Sequence, residues 1–251
     1  MDNRAVSEVL GYVLVFSLIV FSVSIVYVGG FAELRETRQA EQLDNMDRAF
    51  DVLAANLADI HRDGVPSRAT ELQLSGGTLG FGPPIKLEVN ATEVGNVSNN
   101  VTFSMNPRPI VYSGQGDTAF VYAAGAVIRT DGEASVMRKP PGFRVGTTRT
   151  VIPLIVTYPQ TDESIGGRST VLVVGTDRSN ELDGLFSPSN EVRVEITVDS
   201  PRADAWKGYF ERQGHAPVDA DASDDTITYE IPTTTERLYV YRSVIEFDLE
   251  R

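Results

Sequence analysis

The sequence predicts an α+β protein: a long N-terminal helix, transmembrane in its first part, followed by an antiparallel β-rich, sandwich-like head domain with one short helix. Three observations carry this. Residues 9–32 hold no charged side chain. Leu43, Met46, Phe50, Leu53, Leu57 and Ile60 then recur at intervals of three or four, the period of one helical face. From residue 67 onward, short β-type runs are divided by Gly and Pro.

The apolar run is 24 residues long. At about 1.5 Å per residue such a helix covers about 36 Å, enough to cross a hydrocarbon core of about 30 Å with some tilt. A cleaved secretory signal has a shorter apolar region, about 7–15 residues, before a small-residue cleavage site. Gly29-Gly30-Phe31-Ala32 matches such a site poorly. A buried helix of a soluble protein is a third reading, and this run is unusually uniform for one. We therefore expect residues 1–32 to form a short leader and a membrane helix that meets lipid over residues 9–32. Arg4 on one flank and Arg35 and Arg38 on the other leave its orientation undetermined.

The second segment, residues 33–64, is charged and amphipathic. Its stripe of six apolar residues lies on one face, an i,i+4 pair of Asp44 and Arg48 is expected outside, and Gly64-Val65-Pro66 supplies a stop. No Gly or Pro lies between Phe31 and Asp63, so both segments read as one continuous helix. The stripe needs a partner, either the rest of this chain or the same helix in neighbouring subunits.

Residues 65–251 read as the β head. Strands are expected at 71–74, 85–89, 101–105, 119–129, 150–158, 169–175, 191–199, 226–231 and 237–247. The clearest alternation is Val192-Arg-Val194-Glu-Ile196-Thr-Val198, which puts its apolar residues on one face. One helix interrupts the strands, with Ser200 as N-cap, Pro201 in the first helical position and Ala203, Trp206, Tyr209 and Phe210 as its apolar face. Packing on a sheet edge explains those aromatics better than a ligand platform does.

Composition narrows the environment. The chain carries 35 acidic against 22 basic residues, net −13, and only Lys86, Lys139 and Lys207 are lysines. An acidic, arginine-biased surface suits high salt, where carboxylate repulsion is screened, so a halophilic source is expected. No cluster of Lys and Arg in the sequence argues for nucleic acid. With no cysteine, disulfides and thiolate metal sites are excluded.

The N-terminus carries a resemblance. Arg4-Ala-Val-Ser-Glu-Val-Leu-Gly11 before an apolar run is similar to the opening of haloarchaeal type IV pilins and pilin-like proteins, which begin with an arginine, Ala-Val-Ser-Pro-Val-Ile-Gly and a hydrophobic helix. Arg4, Ala5, Val6, Ser7, Val9 and Gly11 match; Glu8 stands where the family has proline. The resemblance covers residues 4–32 and does not extend to the head. It implies that a prepilin peptidase cuts between Arg4 and Ala5, and that the remaining helix anchors in the membrane and then assembles with other pilin-like subunits, as homo- or hetero-oligomer. Glu8 would meet the new amine of a neighbouring Ala5. In physical terms a lone carboxylate at the edge of a membrane helix is costly unless paired or at the interface, and both solutions remain open for Glu8.

Asn90-Ala-Thr92, Asn96-Val-Ser98 and Asn100-Val-Thr102 are three N-glycosylation sequons in a polar, loop-like stretch. They favour an extracellular head, the alternative being an Asn-rich turn between strands. Signals for catalysis are weak. Gly114-Gln-Gly116-Asp-Thr-Ala119 resembles a dinucleotide fingerprint but precedes a strand-like run, whereas that motif opens a helix. His61 and His215 lack partners at ligand spacing. The acidic run at Asp219, Asp221, Asp224 and Asp225 lacks the glycine and spaced glutamate of an EF-hand, and reads as a solvated loop. No enzyme activity, cofactor or metal is expected. Size and resemblance together imply a minor pilin or pseudopilin, single-pass in the cell membrane, whose extracellular head serves adhesion or assembly in a surface filament. The alternative is a permanently membrane-anchored extracellular binding domain that does not polymerise.

Overall fold

A computed structural model describes the backbone of residues 3–114, 116–188, 190–231 and 235–251, and their side chains except those of residues 3–8 and 28–36. The chain divides into two compact units, Met1–Asn45 and Met46–Arg251. Its elements in order are α1 (Asn3–Asp63), β1 (Ser67–Gln73), β2 (Thr78–Phe81), β3 (Lys86–Glu93), β4 (Asn96–Met105), β5 (Ile110–Ser113), β6 (Thr118–Ala123), β7 (Ala126–Asp131) and β8 (Ala134–Lys139). There follow β9 (Thr150–Pro159), β10 (Ile165–Gly166), β11 (Thr170–Phe186), β12 (Val192–Asp199), α2 (Ala203–Arg212), β13 (Ala216–Asp219), β14 (Thr226–Glu230) and β15 (Leu238–Glu250). The protein is thus α+β, with an apolar N-terminal helix and a β-rich, sandwich-like domain.

The helical backbone of α1 continues through Gly29 and Gly30. It ends where Gly64 takes the left-handed conformation, φ +66°, with Pro66 close behind. The remaining elements form three sheets, ordered β1-β11-β15-β9, β10-β2-β5-β6-β7-β8 and β13-β14-β12-β3-β4. Neighbouring strands are antiparallel except β9 and β15, which run parallel from Leu238 opposite Thr150 to Phe247 opposite Pro159. That pair joins distant parts of the chain, so no hairpin fixes its direction.

One buried cluster draws Leu87, Val89, Ile196 and Tyr229 from the third sheet, Val121 and Ile128 from the second, and Leu154 and Val240 from the first. The inward set of β12 is Val192, Val194, Ile196 and Val198, as its alternation predicts. The α2 helix packs against β8, an edge of the second sheet, and against the third sheet. Trp206 is fully buried, and Phe210 stacks on Tyr229 with ring centroids 5.0 Å apart. Its first turn starts two residues later than the Pro201 start predicted, and the Ser200 hydroxyl accepts from the Arg202 amide.

Three expectations about strands change. The run at 119–129 is a hairpin, β6 and β7, reversed at Ala124 (φ +49°) and Gly125 (φ +86°) between the paired Ala123 and Ala126. Positive φ at both central residues suits the twist of a two-residue hairpin. Second, β11 continues eleven residues past Gly175 to Phe186, paired with β15 through two register shifts. Its apolar alternation stops at Gly175, which is why the extension reads as loop. Third, the sequons lie in strands: Asn90 within β3, Asn96 and Asn100 within β4.

Candidate functional site

The N-terminal helix has two distinct apolar stretches, one in each unit. In the first, Val9–Tyr27 is long and apolar enough to cross a membrane, with mean hydropathy 2.6 and none of its residues buried. Leaving so continuous an apolar surface in water is costly. The hydroxyls in the run are satisfied within the helix, Ser22 donating to the Leu18 carbonyl at 2.8 Å and Ser24 to the Val20 carbonyl at 2.7 Å. A helix that meets lipid must satisfy its polar groups in this way. Gly11 presents a bare surface, with nothing within 4 Å of where a Cβ would stand. Arg4, Ala5 and Glu8 belong to the helical backbone, but their side chains lie outside the described residues.

In the second unit the stripe meets its partner. Met46, Phe50, Leu53, Leu57 and Ile60 are buried; Leu43, the first residue of the stripe, falls in the other unit and is half-buried. The partner is this chain's own β domain. The Phe50 ring sits 5.9 Å from that of Phe120 in β6, and Leu57 and Ile60 pack over Gly175 in β11. Polar ties flank the contact: Asp47 with Arg138 at 2.6 Å, Asp59 with Arg68 at 3.1 Å, and Asn56 donating to the Thr70 hydroxyl at 2.8 Å. Asp44 and Arg48 are both exposed, and the ion pair expected between them is not among those formed.

The helix end is held from the sheet. Asn180 donates to the His61 carbonyl at 3.0 Å, one of the terminal carbonyls that a helix leaves unpaired. The buried His61 ring lies with Nδ1 3.2 Å from the Tyr241 hydroxyl. Burial, reinforced by the neighbouring Arg62 charge, pushes its pKa down to about 4. Beside it a cleft opens that sequence reasoning missed, because its walls come from residues 61–63, 142, 144–149, 151, 180 and 241. Only the folded register brings these together, and no short motif marks them.

The other sequence candidates are placed as follows. Asn96 and Asn100 are exposed on β4, an edge strand, whereas Asn90 is half-buried in β3 between β4 and β12. Glu93, buried at the turn of that hairpin, accepts from Asn99 at 2.6 Å and from the Asn190 amide side chain at 2.9 Å. These bonds, that of Asn99 foremost, lower its pKa. Gly114 and Gly116 lie between β5 and β6, with the Gly114 amide bonded to the Thr118 carbonyl at 3.0 Å. In the acidic run, carboxylates cap local amides: Asp219 accepts from the Asp221 amide and Asp221 from that of Ser223. Among the described residues no three His, Cys, Asp or Glu side chains gather as a metal site would require. His215 is buried beside the Phe210 ring, with its pKa lowered by burial.

Comparison with known proteins adds a family and one partial relative. An uncharacterized protein of Archaeoglobus fulgidus is 28% identical over 115 residues, which is 41% of this chain and 38% of that protein. The match therefore spans well under half the length of that relative. No solved structure matches. The Family of unknown function (DUF7289) matches residues 4–248, from the start of the N-terminal helix almost to the end of β15, and the chain belongs to that family.

Proposed function

We propose that the chain is a pilin-like subunit, a minor pilin or pseudopilin of an archaeal type IV pilus-like surface filament. The observation that carries this reading is the division of labour along α1. Its Val9–Tyr27 stretch exposes an unbroken apolar surface, while Met46, Phe50, Leu53, Leu57 and Ile60 are consumed by the β domain. The stripe is therefore spent within the subunit, and the surface left for lipid or for other subunits is the N-terminal one. The opening Arg4-Ala-Val-Ser-Glu-Val-Leu-Gly11 supports removal of a short leader by a prepilin peptidase. In this reading the helix begins as a membrane anchor. It is then withdrawn from lipid to bury its apolar surface against like helices, where shielding from water is worth about 25 cal/mol per Å² relative to solvent exposure. Glu8 pairs with the Ala5 amine of a neighbour, and the bare face at Gly11 allows close approach of helices. The head, on the outside, serves adhesion or assembly and carries glycans at Asn96 and Asn100 in preference to the half-buried Asn90.

A second reading, a permanently anchored binding domain that does not polymerise, is favoured by the cleft at the end of α1. Mass spectrometry of the N-terminal peptide of native protein from membranes separates the two. A mature N-terminus at Ala5 is the expected result. An intact leader would overturn the processed subunit and leave the anchored binding domain.

A further inference from the structure

The cleft where α1 ends has a volume of about 1060 Å³ and is lined by Arg62, Arg144 and Arg149, with Asp63 the one acidic residue among the described residues of its wall. This inverts the sign of the molecule, in which 35 acidic residues face 22 basic ones. Elsewhere, arginines of the same domain are matched to carboxylates: Arg68 to Asp59, Arg138 to Asp47, Arg193 to Glu230 and Arg242 to Asp183. Among the described residues, none of the ion pairs formed involves Arg62, Arg144 or Arg149. Three arginines that form none of the ion pairs among the described residues thus line one opening, in a chain with acids to spare.

The site is also held in place. Arg144 and Val151 exchange both backbone hydrogen bonds, at 2.9 and 2.8 Å, closing residues 145–150 into a tight loop with Arg144 and Arg149 near its two ends. The loop is pinned from outside by the Thr150 amide on the Arg237 carbonyl and the Glu236 amide on the Thr147 carbonyl, each at 2.9 Å. Tyr241 and His61 form the back wall. The charges of Arg62 and Arg144 both reach the Tyr241 phenol and oppose the upward push that burial gives its pKa. Guanidinium groups present paired donors that match phosphate and carboxylate oxygens, and a preformed arrangement loses little freedom on binding.

We propose that this cleft binds a small, multiply charged oxyanion, bearing phosphate or carboxylate groups, held between Arg62 on one side and Arg144 and Arg149 on the other. The site is independent of whether the chain polymerises. Its volume suits a small molecule rather than a macromolecular surface, and exposed guanidinium groups make the affinity fall as salt rises.

The test is isothermal titration calorimetry on the full chain in a non-ionic detergent at low ionic strength, with inorganic pyrophosphate and with citrate as separate probes. Saturable binding of at least one anion is expected, weakened about tenfold or more by Arg144→Gln or Arg149→Gln. Arg193→Gln, exposed on β12 and away from the cleft, should leave it unchanged. Pyrophosphate alone would assign a phosphate ligand, and citrate alone a carboxylate one. The proposal is overturned if wild-type protein binds neither anion saturably, if Arg144→Gln and Arg149→Gln both keep wild-type affinity, or if Arg193→Gln weakens binding as much as the cleft variants.

Discussion

At His61 the fold keeps an imidazole neutral by removing it from water and placing Arg62 beside it. The cost of protonating the ring there makes it a sensor of acid. Its folded-state pKa of about 4 lies below the ordinary 6.5, so the folded protein favours the neutral form. That contribution is complete above about pH 6.5 and drains away as pH falls toward 4, to a total of about 3 kcal/mol. Urea unfolding of the Met46–Arg251 unit across this window should therefore show wild type losing about 3 kcal/mol more than His61→Gln. Carboxylates such as Glu93 and Asp131, whose pKa values are lowered, also lose their contribution on acidification, and the variant subtracts that shared part. Parallel curves would assign the acid sensitivity to them instead. None of this was legible at residue scale in the sequence, where His61 stood as an isolated histidine. Its hydrogen-bond partner Tyr241 is 180 positions away, and the cleft arginines look like any others until the strands pair.

Among the elements, the helix stripe was fully legible and its destination was not. A period of three to four selects the buried face, because side chains at that spacing share one side of a helix, but it does not say whether that face meets the same chain or another. The answer turns on Gly175. A Cβ there would lie 2.8 Å from Leu57 Cδ2 and 3.2 Å from Ile60 Cδ1, so the absence of a side chain in β11 lets the helix settle on the sheet. We expect Gly175→Ala to destabilise by about 1–3 kcal/mol through overpacking. In a Leu57→Ala background the same change should cost less, since both occupy one space and contacting sites are not additive. Strictly additive costs in a double-mutant cycle would contradict the packing described. The strands that escaped sequence reading did so for equally local reasons. β2 and β5 are four residues each, too short for alternation to register. The β6–β7 hairpin turns on Ala124-Gly125, without the Asn or Asp that usually marks positive φ.

At the scale of the whole molecule, composition marks boundaries at residues 32 and 64, and the compact units of the structure meet between Asn45 and Met46. The difference is physical: the charged stretch of α1 changes role where its apolar stripe starts to be buried. Met46, Phe50, Leu53, Leu57 and Ile60 are each at most 3% exposed. At about 1.5–3 kcal/mol per buried side chain these five are worth roughly 10 kcal/mol, which matches the total stability of an ordinary domain, about 5–15 kcal/mol. The β domain therefore cannot dispense with them. A chain beginning at Met46 should be soluble, with one cooperative thermal transition, because it retains the five buried residues of the stripe and omits the exposed apolar span. One beginning at Ser67, which looks natural from the strand pattern, should aggregate or bind a hydrophobic dye such as ANS, since the surfaces of Phe120 and Gly175 that meet the helix are left bare. Equal melting temperatures for the two chains, without dye binding by the shorter one, would show that the helix is an ornament on the sheet. The full chain would then need another account of why its apolar stripe begins so close to the division between the two units.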